Sequence, residues 1–303
     1  MQDHDQRLKN LIKTFFEEFL LLFFASWAER LDCSKVEWID KELFLDAPQG
    51  SRKILDLVAK LPARQGVPGY AAGENDTWLA LVHIEIESAD KAAPVRPRMY
   101  RSYVALRDEY GLPVLPIGLF LQVKLKGIGI DVYEERFWEL KPIRFEYLYV
   151  GLPGLKAVDY LEKDNWLGVA LTALMEIPPE QAAWLGAEAL RRIQSAPLSD
   201  QKKYLLGECV EAYLTLDKAQ KQEFDALLVT ENYAGARVMN QSSFEKGIEK
   251  GRRVVLREQL EDKFGALPTG VEAALEKLPL GEVIRLSKVV MHAQSLSDLG
   301  LEG

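Results

Sequence analysis

The segment TWLALVHIEIESAD, residues 77–90, constrains the fold more than any other part of the chain. It is a long apolar run rich in β-branched residues, which is typical of a buried strand. Side chains of a strand alternate between its two faces, so that one face is apolar throughout and the other becomes acidic at its end. The second face carries Leu79, Leu81, His83, Glu85 and Glu87. The segment therefore predicts a sheet that presents carboxylates at one edge.

Composition indicates a globular protein. The chain has 303 residues, of which 48% are hydrophobic and 28% are charged, so it can bury a sizeable core. The longest uncharged run, residues 19–28, is well short of the roughly 20 residues that a membrane span requires. The N-terminus lacks the basic region of a signal peptide. We therefore expect a cytoplasmic protein with no membrane partner.

Charge and motif content exclude several classes of function. The net charge of −8 argues against a surface that is basic overall, as expected of a dedicated nucleic-acid coat. Residues 91–107 are locally basic, with five Lys or Arg and no acidic residue, which fits either a solvated helix face or a phosphate contact. The three histidines are scattered, and the sequence has neither an HExxH nor a GxSxG motif. Zinc and serine hydrolases are therefore unsupported.

The order of predicted elements indicates an α/β core followed by an all-α region. A helix over residues 7–30, three strand-like runs, a helix over residues 99–110 and a further strand are typical of such a core. From residue 155 onward the hydrophobic period is helical. We expect a core over residues 1–178, a helical extension over 179–240 and a C-terminal helical domain over 241–303.

Carboxylate chemistry is the remaining candidate activity. Asp56 lies in the strand-like run KILDLVAK on the same face as Lys60. If this strand pairs with residues 79–87, Asp56 and Glu85 converge at the sheet edge. Two carboxylates, a backbone carbonyl and waters are a usual shell for Mg²⁺, which can activate water against a phosphodiester. The alternative is that both are strand-edge residues facing solvent.

Five segments in this order resemble a known family. They are HDQRLK (4–9), ILDLVAKL (54–61), LVHIEIES (81–88), RPRMYRSY (96–103) and YGLPVLPIGLF (110–120). The arrangement resembles the PD-(D/E)XK nuclease superfamily, in particular its Rpn-type recombination-promoting nucleases, also described as transposase-like. This family's core is a small mixed β-sheet flanked by helices. The segment GRRVVLREQLEDKFGALP (251–268) is similar to a helical domain that often follows this nuclease module.

The resemblance implies a metal site, and at one catalytic position this chain departs from the family pattern. It implies that Asp56, Glu85 and the carbonyl of Ile86 ligate Mg²⁺, with Mn²⁺ able to substitute. Glu87 occupies the next catalytic position, where the superfamily normally has Lys and this branch commonly Gln; a carboxylate cannot stabilise negative charge there. Three alternatives stay open: Glu87 recruits a second metal ion, Lys60 supplies the missing cation, or activity is weakened or absent.

Other residues gain interest from the same resemblance. Asp5 and Lys9 can approach the site from the first helix, although an exposed i,i+4 ion pair is the simpler interpretation, so they are left out of the catalytic set. Arg98 and Arg101 are candidates for DNA phosphate contacts. His83 fits a packed or supporting side chain better than a metal ligand.

Two functions are therefore expected from the sequence. The first is a Mg²⁺-dependent DNA endonuclease linked to recombination or mobile elements. The alternative is a catalytically lapsed nuclease fold that acts as a DNA-binding or oligomerisation module. In both, DNA is the expected partner and the C-terminal helices are candidates for homo-oligomer contacts.

Overall fold

The computed structural model of the chain describes most of its residues. The described ranges are 2–39, 44–46, 51–53, 56–64, 79–87, 94–121, 125–265, 267–290, 293 and 295–301. Within them, the side chains of residues 2–5, 44–46, 51–53, 79–80, 87, 237–251, 269, 273, 276, 277 and 280 lie outside the description. The chain forms two compact units, Met1–Arg237 and Val238–Gly303. The three domain ranges expected from the sequence stay predictions.

A mixed sheet of six strands is the centre of the first unit. In spatial order its strands are β1 (Glu37–Ile39), β4 (Leu57–Pro62), β5 (Leu79–Glu87), β6 (Val114–Phe120), β8 (Leu140–Gly151) and β7 (Gly127–Phe137). The β1–β4, β4–β5 and β7–β8 pairs are antiparallel, whereas β5–β6 and β6–β8 are parallel. A separate hairpin consists of β2 (Phe44–Asp46) and β3 (Ser51–Lys53). The predicted mixed α/β class is confirmed.

Helix α4 (Val95–Tyr110) connects β5 to β6 and covers one face of the sheet. A parallel pair needs such a crossover connection, which explains the helix between these strands. Its apolar residues pack in two clusters, one around Leu106 with Val58 and Leu81, and one around Met99 with aromatic residues of β6 and β8. The helix ends at Gly111, whose φ of 63° is the left-handed conformation that glycine adopts readily.

The N-terminal helical region consists of three helices instead of the single predicted one. They are α1 (Gln2–Thr14), α2 (Phe16–Phe23) and α3 (Ala25–Ala28). Helix α2 packs near β1, with the rings of Phe16 and Trp38 5.2 Å apart. Broken helices bury a broad apolar band against several neighbours, which one straight helix does less well.

Five more helices complete the first unit. They are α5 (Val158–Leu161), α6 (Trp166–Leu171), α7 (Ala182–Ser195), α8 (Asp200–Tyr213) and α9 (Lys218–Leu228). Helix α8 packs against α1, where Arg7 lies 3.7 Å from Glu208. The helical segment after the sheet therefore holds α1 in place.

The chain ends in helices, as predicted. Helix α10 (Ala234–Phe264) is followed by α11 (Thr269–Lys277) and α12 (Leu280–Val289). The second unit has its own apolar core, which includes Leu256, Leu260, Val271, Leu275, Val283, Leu286 and Val290. Gly265, with a φ of 80°, follows the last residue of α10 at the predicted stop. Among the described residues, no helix has both the length and the apolar character needed to cross a membrane.

Candidate functional site

The ends of β4 and β5 bring two carboxylates to one edge of the sheet. Leu57 pairs with Ile84 and Val58 with His83, so that Asp56, immediately before β4, lies opposite Glu85 when the register is continued. The sequence predicted Asp56 within a strand, but Asp56 lies at a bend just before β4. Asp56 is 5% exposed and Glu85 is 4% exposed. Two acidic side chains are therefore buried on neighbouring segments, and neither faces solvent.

Asp56 contacts a lysine from α1 and the backbone of β5. Its Oδ1 lies 2.7 Å from Nζ of Lys9, and its Oδ2 accepts a hydrogen bond of 2.8 Å from the N–H of Ile86. Lys9 is itself 5% exposed, and its neighbours Leu8 and Leu11 are buried in the core. A buried carboxylate and a buried ammonium group are each costly alone, so this pairing offsets the cost of burying them.

Glu85 contacts an arginine from α4 and a histidine from its own strand. Nε of Arg98 donates a hydrogen bond of 2.8 Å to Oε1 of Glu85. Nε2 of His83 lies 3.3 Å from Oε2, yet neither ring nitrogen of this fully buried histidine has a hydrogen-bond partner within the described residues. His83 is thus a packed side chain beside Glu85.

The backbone of Ile86 connects the two carboxylates. Its N–H points toward Asp56, and in an extended strand the N–H and C=O of one residue point to the same side. The carbonyl named as a third ligand by the family resemblance therefore faces the side of β5 on which Asp56 lies. Glu87 ends β5 and its backbone pairs with Phe120, while its side chain lies outside the described part.

The donor atoms suit a hard divalent cation. Carboxylate and carbonyl oxygens are the ligands that Mg²⁺ prefers, and one carboxylate oxygen can accept more than one contact. The formal charges of Lys9, Asp56, Arg98 and Glu85 cancel, so these four side chains already form a neutral group. Within the described ranges, no cluster of three or more His, Cys, Asp or Glu is arranged to hold a metal ion. Among the described side chains, two carboxylates, those of Asp56 and Glu85, lie at this edge.

Lys60 and Arg101 are not brought to the two carboxylates. Lys60 lies 3.6 Å from Glu37 on β1, and the four residues that separate it from Asp56 span about 13 Å of strand. Arg101 is exposed on α4 and its Nε donates a hydrogen bond of 3.3 Å to the carbonyl of Pro97. Of the predicted cationic residues, only Arg98 therefore contacts the carboxylate pair.

Lys9 contacts Asp56, although it is not in the catalytic set predicted from the sequence. It is buried and its ammonium group contacts Asp56, so it is not the exposed residue that the sequence predicted; the Asp5 side chain lies outside the described part. One sequence signal was present, because Lys9 is a charged residue in a helix whose neighbouring positions Leu8, Leu11 and Ile12 are apolar. A lysine within an apolar band needs a buried anionic partner.

A second buried carboxylate lies on β7. The guanidinium group of Arg96 donates two hydrogen bonds of 2.8 Å to the oxygens of Asp131, and the hydroxyl of Tyr147 donates a third. Burial alone would raise the pKa of Asp131, but the hydrogen bonds from Arg96 and Tyr147 outweigh it and hold the pKa below its ordinary 3.8. Burial and the contact with Asp131 raise the pKa of Tyr147 far above 10.

Comparison of the chain with protein-family models, with curated proteins and with solved structures finds no match. Support for a function therefore comes from the geometry of these residues and from the resemblance of the sequence segments.

Proposed function

We propose that the protein is a Mg²⁺-dependent DNA endonuclease with a PD-(D/E)XK-like core, linked to recombination or mobile elements. One observation carries the proposal. Asp56 and Glu85 are buried at the same edge of the sheet, at facing positions of the adjacent segments β4 and β5. Buried carboxylates that converge in this way are costly unless they bind cations, and they occur at sites where that binding is used.

Two further features of the fold support the proposal. The core is a mixed sheet flanked by helices, in keeping with the architecture that the family resemblance implies. The backbone of Ile86 faces Asp56, on the side from which a third oxygen ligand would come. These features support the proposal without a role for Lys60, which pairs with Glu37 instead.

The proposed roles of the chain's own residues follow from their contacts. Asp56 and Glu85 would hold the ion. Lys9 on α1 contacts and orients Asp56, and Arg98 on α4 contacts and orients Glu85. Bound Mg²⁺ would supply activation of water and neutralisation of charge on the phosphodiester. Glu87 cannot provide a positive charge. Among the described residues that contact the two carboxylates, Lys9 is the lysine that would provide it.

DNA contacts in this proposal come from the exposed part of α4. Arg101 is exposed, which suits a salt-dependent contact with a phosphate group. Arg98 binds Glu85 and is 18% exposed along its side chain, so its first role is to position that carboxylate.

Plasmid nicking tests the proposal. We expect the purified chain to nick supercoiled DNA in Mg²⁺ or Mn²⁺, and Asp56→Asn and Glu85→Gln to reduce the rate by more than the roughly 10–100-fold typical of losing an outer-shell partner of a metal. Asp131→Asn is the matched control, because it removes another buried carboxylate of the same sheet, and it should keep nicking. Equal nicking by the parent and by both site variants would overturn the proposal.

The second candidate is a lapsed nuclease fold that acts as a DNA-binding or oligomerisation module. It is favoured by the neutral group of Lys9, Asp56, Arg98 and Glu85, in which each carboxylate already contacts a cation, and by the carboxylate at position 87. Calorimetry separates the two candidates. Absence of Mg²⁺ and Mn²⁺ binding at millimolar concentration supports the lapsed module, whereas binding that Glu85→Gln removes supports the enzyme.

A further inference from the structure

Lys9 is a buried cation on the carboxylate that the proposed function assigns to metal. Its ammonium nitrogen lies 2.7 Å from Oδ1 of Asp56, and the side chains of both residues are 7% exposed. Helix α1 is fixed by its packing against α8 and by the buried residues Leu8 and Leu11. The lysine therefore lies at a defined place, and its contact with Asp56 is not a chance surface pair.

Two cations cannot share this carboxylate without a large repulsion. An ammonium group hydrogen-bonded to Asp56 and a divalent ion ligated by the same group would lie only a few ångströms apart, in a region where water screens charge poorly. Lysine differs from arginine in this respect, because its compact charge is at the end of a flexible stem and can move away. Arg96, by contrast, is held on Asp131 by two parallel hydrogen bonds.

We infer that Lys9 is a positioning residue which occupies Asp56 in the metal-free protein and is displaced when a divalent cation binds, so that Lys9 sets the metal affinity of the site. The inference rests on the proposed function. It explains why a protein can keep two carboxylates buried before metal arrives, because Lys9 and Arg98 contact and orient them. It also predicts that metal binding breaks one ion pair, that between Lys9 and Asp56.

Titration calorimetry with Mn²⁺ tests the inference. Lys9→Gln keeps a hydrogen-bond donor for Asp56 but removes the competing charge, and it should lower the Kd for Mn²⁺ by about tenfold, because part of the energy of a buried ion pair no longer opposes binding. Lys9→Arg keeps the charge on a group that can hold a carboxylate by two parallel hydrogen bonds, so its Kd should equal that of the parent or exceed it. Lys35→Gln is the matched control, since this exposed lysine pairs with Asp32 away from the site.

Each outcome either supports or overturns the inference about Lys9. A Kd for Lys9→Gln equal to or higher than that of the parent, in a parent that binds Mn²⁺, overturns the inference alone. Absence of Mn²⁺ binding by both proteins overturns the proposed function together with it. If Lys9→Gln is unfolded without metal, refolding on addition of Mn²⁺, followed by far-UV circular dichroism, supports the inference, and failure to refold at any concentration overturns it.

Discussion

The sheet contains two buried acidic centres that differ in how they are held. Asp131 on β7 receives three hydrogen bonds from Arg96 and Tyr147, and its pKa is lowered. Asp56 is contacted instead by Lys9, whose compact ammonium group ends a flexible stem, and Glu85 by Arg98. The difference indicates that two parallel hydrogen bonds from Arg96 hold Asp131 in one geometry, whereas Lys9 can move away from Asp56.

One helix serves both centres because of helical geometry. Arg96 and Arg98 are two positions apart on α4, so their side chains leave the helix roughly 200° apart. In the sheet, β5 and β7 lie on opposite sides of the β6 and β8 strands. The two arginines therefore extend in opposite directions across the sheet, one to Glu85 and the other to Asp131.

The largest effect on stability is expected at the pair of Lys9 and Asp56, whose side chains are both 7% exposed. Lys9→Met leaves Asp56 as a buried charge without its ammonium partner, and it should lower the free energy of unfolding by about 3 kcal/mol. Lys35→Met, at an exposed pair, should change it by less than about 1 kcal/mol. Urea denaturation measures both. A Lys9→Met protein as stable as the control would contradict the assignment of Asp56 as a buried anion.

A smaller loss is expected at the Asp131 centre. The side chain of Arg96 is 53% exposed, so water can replace part of what Arg96→Met removes, while Tyr147 still donates to Asp131. We expect a loss of about 1–2 kcal/mol in the free energy of unfolding. Arg101→Met, on the exposed side of the same helix, is the control. A loss at Arg96 larger than that at Lys9 would reverse the ranking of the two centres.

The smallest effect concerns acid stability. Because the pKa of Asp131 is lowered in the folded state, its contribution to stability is complete above the ordinary value of 3.8 and is lost as the pH falls through the lowered pKa. Asp131→Asn should therefore flatten the loss of stability below that pH, and Tyr147→Phe should move the loss to higher pH. Denaturation in urea at a series of acidic pH values measures the slopes. Unchanged slopes in both variants would show that Asp131 is not held as an anion.

The sequence predicted the backbone of the site better than its side-chain partners. Alternation along residues 79–87 gave the β5 strand and the face that carries Glu85, and the apolar run with Asp56 gave the neighbouring segment; their pairing is observed. The run Gly127–Phe137 also alternates, but its apolar residues Ile128 and Ile130 are exposed and the buried position is Asp131, so the pattern did not predict which face of β7 is covered. A local pattern reports burial of a strand but not which strand it pairs with.

The cationic partners were harder to predict. Lys60 shares a strand face with Asp56, yet pairs with Glu37 because β1 lies beside it. Lys9 is 47 positions from Asp56 in the chain, and the two meet in the folded protein, in which α1 packs against α8. Which long side chain reaches a given carboxylate depends on how helices pack, and sequence spacing does not record it.

The sequence by itself determined an α/β chain with a helical end and indicated strand-like runs around Asp56 and Glu85, because hydrophobic period and strand alternation are local properties of the chain. That these two runs pair was decided by the tertiary structure. Only the tertiary structure decided that both carboxylates are buried and that Lys9 and Arg98 neutralise them. The physical reason is that desolvation and ion pairing depend on the positions of groups far apart in the chain, which are fixed only when the helices pack on the sheet.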